Sequence, residues 1–261
     1  MKLYHYTSVD TLLKMLDQSI IEDEGISIKY LELWAFPTSS LKDKSEYRLY
    51  TDKLKEKVKM FAQKSNHSFC DKELEKLDKL CQCWFYTISL TDKNESPYMW
   101  KHYGDNYAGV CIELDFALIP THYLHKNGYL LMEYAYDSFL TKCNYIGSEE
   151  IEIEKQIIEE IYQYIVNGNT NTIEKVIKNA VLLSKIEDSA IAYKKKEYSA
   201  ESEFRIVLGS VIPQEHLKFP IPISAISNIV LGSSIKDVNS VTQKIIDGLG
   251  ESVNVRISEC L

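Results

Sequence analysis

The chain has no Cys-x-x-Cys pair, no excess of basic residues, no internal repeat and no apolar run of membrane length. Each absence removes a class of protein. The six cysteines, Cys70, Cys81, Cys83, Cys111, Cys143 and Cys260, lack the paired spacing of a zinc ribbon. They read as buried free thiols, with Cys81 and Cys83 on one face of a predicted strand. A net charge of −8, from 30 basic and 38 acidic residues, argues against general duplex binding, which rests on neutralising phosphates. One basic run, Lys194-Lys-Lys196, falls at the end of a predicted helix, where cations meet the helix dipole favourably. Phosphate binding is its alternative role. No segment is long and apolar enough to span a bilayer, so no membrane partner is expected. The start, Met1-Lys-Leu-Tyr-His-Tyr-Thr-Ser8, has no basic-then-apolar leader. The expectation is a cytoplasmic protein with reduced cysteines. Low-complexity tracts and linkers are also lacking.

What is present is an ordinary globular composition, 45% hydrophobic and 26% charged, with 18 Tyr against 8 Phe and 3 Trp in 261 residues. Tyrosine has an apolar body and a polar tip, which suits a polar-lined cleft. An AT-rich genome would give the same bias.

The periodicity predicts an α+β fold: a central mixed, largely antiparallel sheet built from distant strands, with helices and a helical-hairpin insertion. Strands are expected at Leu3–Thr7, Tyr30–Phe36, Cys83–Leu90, Gly109–Leu114, Gly128–Tyr136, Glu203–Leu208, Asn228–Leu231 and Val253–Ile257. Ser8 and Ser96-Pro97 are helix starts. Further helices are expected from Ser45, from Asp71 and over Asn239–Gly248. The reading is one domain over 1–261, with a charged helical insertion over 148–197. Its stripe of Ile151, Ile157, Ile158, Ile161 and Ile165 suits either a homodimer surface or a lid.

Three clusters carry the chemistry. Tyr198-Ser-Ala-Glu-Ser-Glu-Phe-Arg-Ile-Val-Leu208 places Glu201, Glu203 and Arg205 at alternate positions. In a strand these share one face while Phe204, Ile206 and Leu208 pack into a core. The polar face then lines a cleft, the alternative being a structural ion-pair ladder. A carboxylate beside a guanidinium stays ionised near neutral pH. That suits stabilising a cationic transition state or bonding a ribose hydroxyl. His5, among Tyr4, Tyr6, Thr7 and Ser8, offers donors to a sugar or phosphate, or is a buried structural histidine. In Ser96-Pro-Tyr-Met-Trp-Lys-His-Tyr-Gly104, Trp100, His102 and Tyr103 crowd a short helix and could stack a planar ring. Met99, Trp100 and Tyr103 could equally plug a core. No metal is expected, because too few carboxylate or histidine ligands can be placed together.

These residues carry a resemblance. Leu3-Tyr-His-Tyr-Thr-Ser8, Leu41-Lys-Asp-Lys-Ser-Glu46, Tyr98-Met-Trp-Lys-His-Tyr103, Gly109-Val-Cys-Ile-Glu113, Glu201-Ser-Glu-Phe-Arg205 and Ile229-Val-Leu-Gly232 follow in order. Over nearly its whole length the chain resembles the bacterial family called domain of unknown function 2971. That family usually has Asn-Asp-Pro-x-Glu in the second piece; here Lys42 and Lys44 replace the Asn and the Pro. The first-strand His-Tyr-Thr, the aromatic middle and the late strand Glu also resemble mono-ADP-ribosyltransferases of the His-Tyr-Glu kind, including DNA-modifying toxins. That second resemblance implies NAD as substrate, transfer to a protein or nucleic-acid acceptor, or simple NAD cleavage, in a defence or toxin setting. It implies catalysis by Glu203 or Glu201, oriented by Arg205, and substrate binding by His5, Tyr6, Thr7, Trp100, His102 and Tyr103. Two other functions compete: a non-catalytic module binding a nucleotide or protein in a defence or toxin system, and a phosphoesterase using His5, His102 and the carboxylates.

Overall fold

A computed structural model describes residues 1–17, 20–23, 26–40, 48–80, 85–119, 135–147, 150–167, 186, 188–210 and 214–260. The strands are β1 Lys2–Thr7, β2 Ile20–Asp23, β3 Ile26–Pro37, β4 Phe85–Thr91, β5 Val110–Asp115, β6 Ala135–Lys142, β7 Asn144–Ile146, β8 Tyr193–Lys195, β9 Glu203–Ser210, β10 Leu217–Pro222, β11 Ile226–Leu231 and β12 Asn254–Ile257. The helices used below are α1 Val9–Leu16, α2 Arg48–Lys64, α3 Asp71–Leu80, α4 Pro97–His102, α5 Lys155–Asn167 and α6 Val238–Leu249. The chain divides into two compact units. One is Met1–Thr38, Phe85–Lys142 and Ala200–Leu261; the other is Ser39–Trp84 and Cys143–Ser199.

The first unit is built on a forked sheet. One edge of β4 pairs with β9, which in turn pairs with β6. The other edge is shared: Phe36 and Pro37 of β3 face Thr87 and Tyr86, while Tyr4 of β1 faces Thr91. From there one branch runs β3–β10 and the other runs β1–β5–β11–β12. Every pairing in this sheet is antiparallel among the described residues except β11 with β12. The fold is thus α+β, with a largely antiparallel sheet assembled from distant segments, as the periodicity predicts.

Burial fixes the register. Leu3, Leu31, Leu33, Leu90, Ile112, Ile206 and Leu208 form one core with Leu12, Met15, Leu16 of α1 and Ile245, Leu249 of α6. A one-residue slip of β9 would turn Ile206 and Leu208 out of that core, at about 1.5–3 kcal/mol each. The same constraint therefore sends Glu203 and Arg205 to the opposite face of the sheet. Ser8 caps α1 by accepting from Thr11 N at 3.1 Å, and Ser96 caps α4 by accepting from Met99 N at 3.4 Å.

In the second unit α2, α3 and α5 pack around Tyr50, Leu54, Val58, Leu77, Ile157, Ile161 and Ile165. The isoleucine stripe is accordingly a core seam, with Ile151 buried beside it and Ile158 partly buried. The Lys194-Lys-Lys196 run follows helical residues that end at Ala192 but is not part of that helix. Tyr193–Lys195 is strand β8, paired in parallel with β7. Its alternation buries Lys194, whose ammonium lies 5.3 Å from the centre of the Tyr198 ring. The predicted helix start at Ser45, the loop Leu41–Glu46, Cys81 and Cys83, and most of the second arm of the predicted hairpin lie outside the described residues. No described helix is long and apolar enough to cross a membrane.

Candidate functional site

The carboxylates of Glu201 and Glu203 do not share a strand. Glu201 ends a 3-10 helix over Lys196–Glu201, and β9 begins at Glu203. Ser202 between them has φ of +46°, a left-handed conformation that costs a non-glycine residue about 1–2 kcal/mol. This kink ends the predicted alternation and sends the two side chains to different partners. Glu203 turns toward β4, where Ser89 Oγ donates to its Oε1 at 2.6 Å. Arg205, two residues along the same face, donates from Nε to Oε1 at 3.0 Å and from Nη2 to Oε2 at 3.1 Å. Glu201 instead accepts at Oε1 from the hydroxyl of Tyr103 at 2.5 Å. Its backbone carbonyl accepts from Thr91 Oγ1 at 2.5 Å.

All three charged side chains are buried: Glu201 is 2% exposed, Glu203 4% and Arg205 1%. Taking such charges from water is costly, and paired hydrogen-bonding geometry is what offsets the cost. The bidentate guanidinium and the Ser89 hydroxyl favour the ionised form of Glu203. The result is a fixed carboxylate in a place of low dielectric, its charge balanced by the guanidinium of Arg205.

The predicted substrate-binding residues of β1 divide between the two faces of the sheet, with Tyr6 on the face of Tyr4. Register sets the faces: Glu203 lies opposite Thr91, and Thr91 opposite Tyr4, so these three share a face. His5, the next residue after Tyr4, takes the other face together with Thr7. His5 lies where β1 and β3 part on β4, and its Nδ1 is 2.9 Å from the backbone oxygen of Ser89. A carbonyl can only accept, so Nδ1 carries the proton and Nε2 presents a lone pair. Burial lowers the imidazole below its ordinary range, against the opposing effect of this bond. His5 is therefore a neutral ring that satisfies a carbonyl left over at the fork.

Tyr6 and Trp100 belong to the core. Trp100 is fully buried, its ring centre 5.0 Å from that of Tyr6 in an edge-to-face contact, with Tyr4, Met99, Cys111 and Val230 around them. No ligand can stack on an indole so enclosed, which corrects the expectation for Trp100 as a binding surface. The Tyr6 hydroxyl donates to Lys93 O at 3.2 Å and accepts from Ser96 N at 3.3 Å, and burial pushes its phenol far above the usual range. His102 is exposed, its ring 4.5 Å from that of Tyr98. Tyr103 does meet a carboxylate: the residue is 36% exposed while its hydroxyl reaches buried Glu201.

Tyr103 owes its place to a strained turn. It caps α4, and Asp105, Asn106 and Tyr107 follow with φ of +49°, +50° and +69°. Three successive left-handed residues without a glycine require outside support. It comes from Tyr107 N donating to Trp100 O at 3.2 Å and Ser234 N donating to Tyr107 O at 2.9 Å. Gly104 allows the tight exit, since a Cβ there would lie 2.5 Å from Trp100 Cε3.

Sequence reasoning missed Ser89, Thr91 and Glu95. Thr87, Ser89 and Thr91 recur at every second position of an otherwise apolar strand, which was the available signal. Glu95 gave none. Among the described residues, no group of three or more His, Cys, Asp or Glu could hold a metal ion.

No curated protein and no solved structure matches the chain. Residues 99–206, which carry Tyr103, Glu201, Glu203 and Arg205, match the family model described as Protein of unknown function (DUF2971), and that match supports assigning the chain to this family.

Proposed function

We propose that the chain is an NAD-consuming enzyme of the ADP-ribosyltransferase kind, with Glu203 as the electrostatic centre. The observation that carries this reading is the buried Glu203 carboxylate, held by Ser89 and by both arms of Arg205. In the reaction the bond between the ribose C1′ and the nicotinamide nitrogen breaks. The leaving nicotinamide keeps the electron pair, and the ribosyl carbon takes on oxocarbenium character before an acceptor or water attacks it. A fixed carboxylate beside that carbon stabilises the cation without reorganising. Tyr103, reaching Glu201 from the surface, is the side chain best suited to meet the nicotinamide ring.

The test is nicotinamide release from NAD by wild type, Glu203→Gln and Tyr103→Ala, each assayed well below its melting temperature. Release by wild type that falls at least tenfold in both variants, about 1.4 kcal/mol, supports the reading. Release that Glu203→Gln leaves intact removes Glu203 from the centre.

A second reading is favoured by one specific observation. Both Glu203 oxygens already accept donors from Ser89 and Arg205. This suits a non-catalytic module in which the ion pair shapes a nucleotide- or protein-binding surface. It is the reading to adopt if NAD raises the melting temperature without being cleaved.

A further inference from the structure

Glu95 gathers more donors than any surface loop carboxylate requires. Arg256 Nη1 donates to its Oε1 at 2.6 Å, and Ser258 Oγ and Trp100 Nε1 donate to its Oε2 at 2.5 and 3.2 Å. Its backbone carbonyl accepts from Cys260 Sγ at 2.7 Å. Glu95 itself stands at φ of +49°, one residue before the Ser96 cap of α4. Burial alone would raise its carboxyl, but the bonds from Ser258, Arg256 and Trp100 outweigh burial and hold it below the usual carboxylate range.

These bonds tie three parts of the chain to one side chain. Arg256 lies on β12, Ser258 just beyond it, and Trp100 in the middle of α4. Trp100 is fully buried and pinned at its indole nitrogen, so α4 cannot rotate about its axis without breaking that bond or vacating the core. Tyr103 is the next turn of the same short helix, and its hydroxyl meets Glu201. Left-handed backbone on both sides of α4, at Glu95 and at Asp105–Tyr107, shows that the helix is held where local preference would not leave it.

We propose that Glu95 is the positioning residue of the candidate site: by clamping Trp100 to Arg256 and Ser258 it sets the rotation of α4, and with it the seat of Tyr103 against Glu201. The proposal rests on the reading in which Tyr103 meets the substrate. Its geometric half stands apart from that reading.

The experiment uses the full chain labelled with carbon-13 at the tyrosine Cζ, with the Tyr103 signal assigned from Tyr103→Phe. In Glu95→Gln the Tyr103 signal should move toward that of a solvated phenol, while the signal of buried Tyr86 stays in place. Nicotinamide release should fall at least tenfold in kcat with KM changed less. An unmoved Tyr103 signal overturns the proposal. Should Glu95→Gln fail to fold, Ser258→Ala, which removes one donor and keeps the carboxylate, decides by the same signal. A moved signal in a protein whose wild type releases no nicotinamide upholds the clamp and defeats the NAD reading instead.

Discussion

Replacing Glu203 by glutamine should destabilise the protein substantially, whatever it does to activity. The side chain is 4% exposed and Arg205 1% exposed, so neither can turn to water in place. Glutamine keeps one acceptor oxygen but presents an NH2 group where an oxygen now meets Ser89 or Arg205. One charged acceptor bond becomes donor against donor, and the guanidinium loses its neutralising partner. Breaking a buried ion pair from one side costs about 3–5 kcal/mol; the retained acceptor puts the expected loss at about 3 kcal/mol. For a chain of this size that is a fall of about 6–12 °C in melting temperature. Thermal unfolding followed by circular dichroism and by calorimetry reads it. Replacing Glu203 and Arg205 together by methionine should cost less than the single change, because no charge is then stranded. A Glu203→Gln protein that melts within about 2 °C of wild type would refute the reasoning. So would a double variant less stable than the single one.

Three further outcomes are expected. Tyr103→Phe removes a donor from buried Glu201 and should lower stability by about 1.5–3 kcal/mol; an unchanged melting curve would show that the bond does not form in solution. Gly232→Ala would drive a Cβ onto the Tyr107 carbonyl, which Ser234 N holds at 2.9 Å, and should cost about 1–3 kcal/mol; denaturant midpoints equal to wild type count against that packing. The His5 imidazole titrates below 6.5 when folded, so the unfolded chain binds the extra proton. Its contribution is therefore full above pH 6.5 and is lost as pH falls from there toward the folded value. His5→Gln should flatten that part of the stability–pH curve, and a slope identical to wild type would remove His5 as its source.

The sheet was legible because β4 and β5 are short runs rich in apolar, aromatic and β-branched residues, buried on both faces, while β9 opens with a charged–apolar alternation. β10 was not, since Pro220 and Pro222 read as breaks; as an edge strand it tolerates them. In β9 the alternation correctly paired Glu203 with Arg205 but overreached to Glu201. Nothing in Ser202 announces a left-handed residue. His5 and Trp100 illustrate a second limit. Residue type left both open between a ligand surface and a structural role; Trp100, on α4, is placed by packing against Tyr4 and Tyr6, and His5 takes a face that depends on strand register with a partner far along the chain. Here Tyr4 opposite Thr91 decides it. Glu95 was illegible because its partners Arg256 and Ser258 lie more than 160 residues away.

The most direct test of the account is nicotinamide release from NAD by the purified full chain, measured beside Glu203→Gln at a temperature where both are folded. The account expects release by wild type and at least a tenfold loss in the variant. Wild-type protein that neither releases nicotinamide nor is stabilised thermally by NAD would contradict it, and would leave the Glu203–Arg205 pair as a structural element of the sheet.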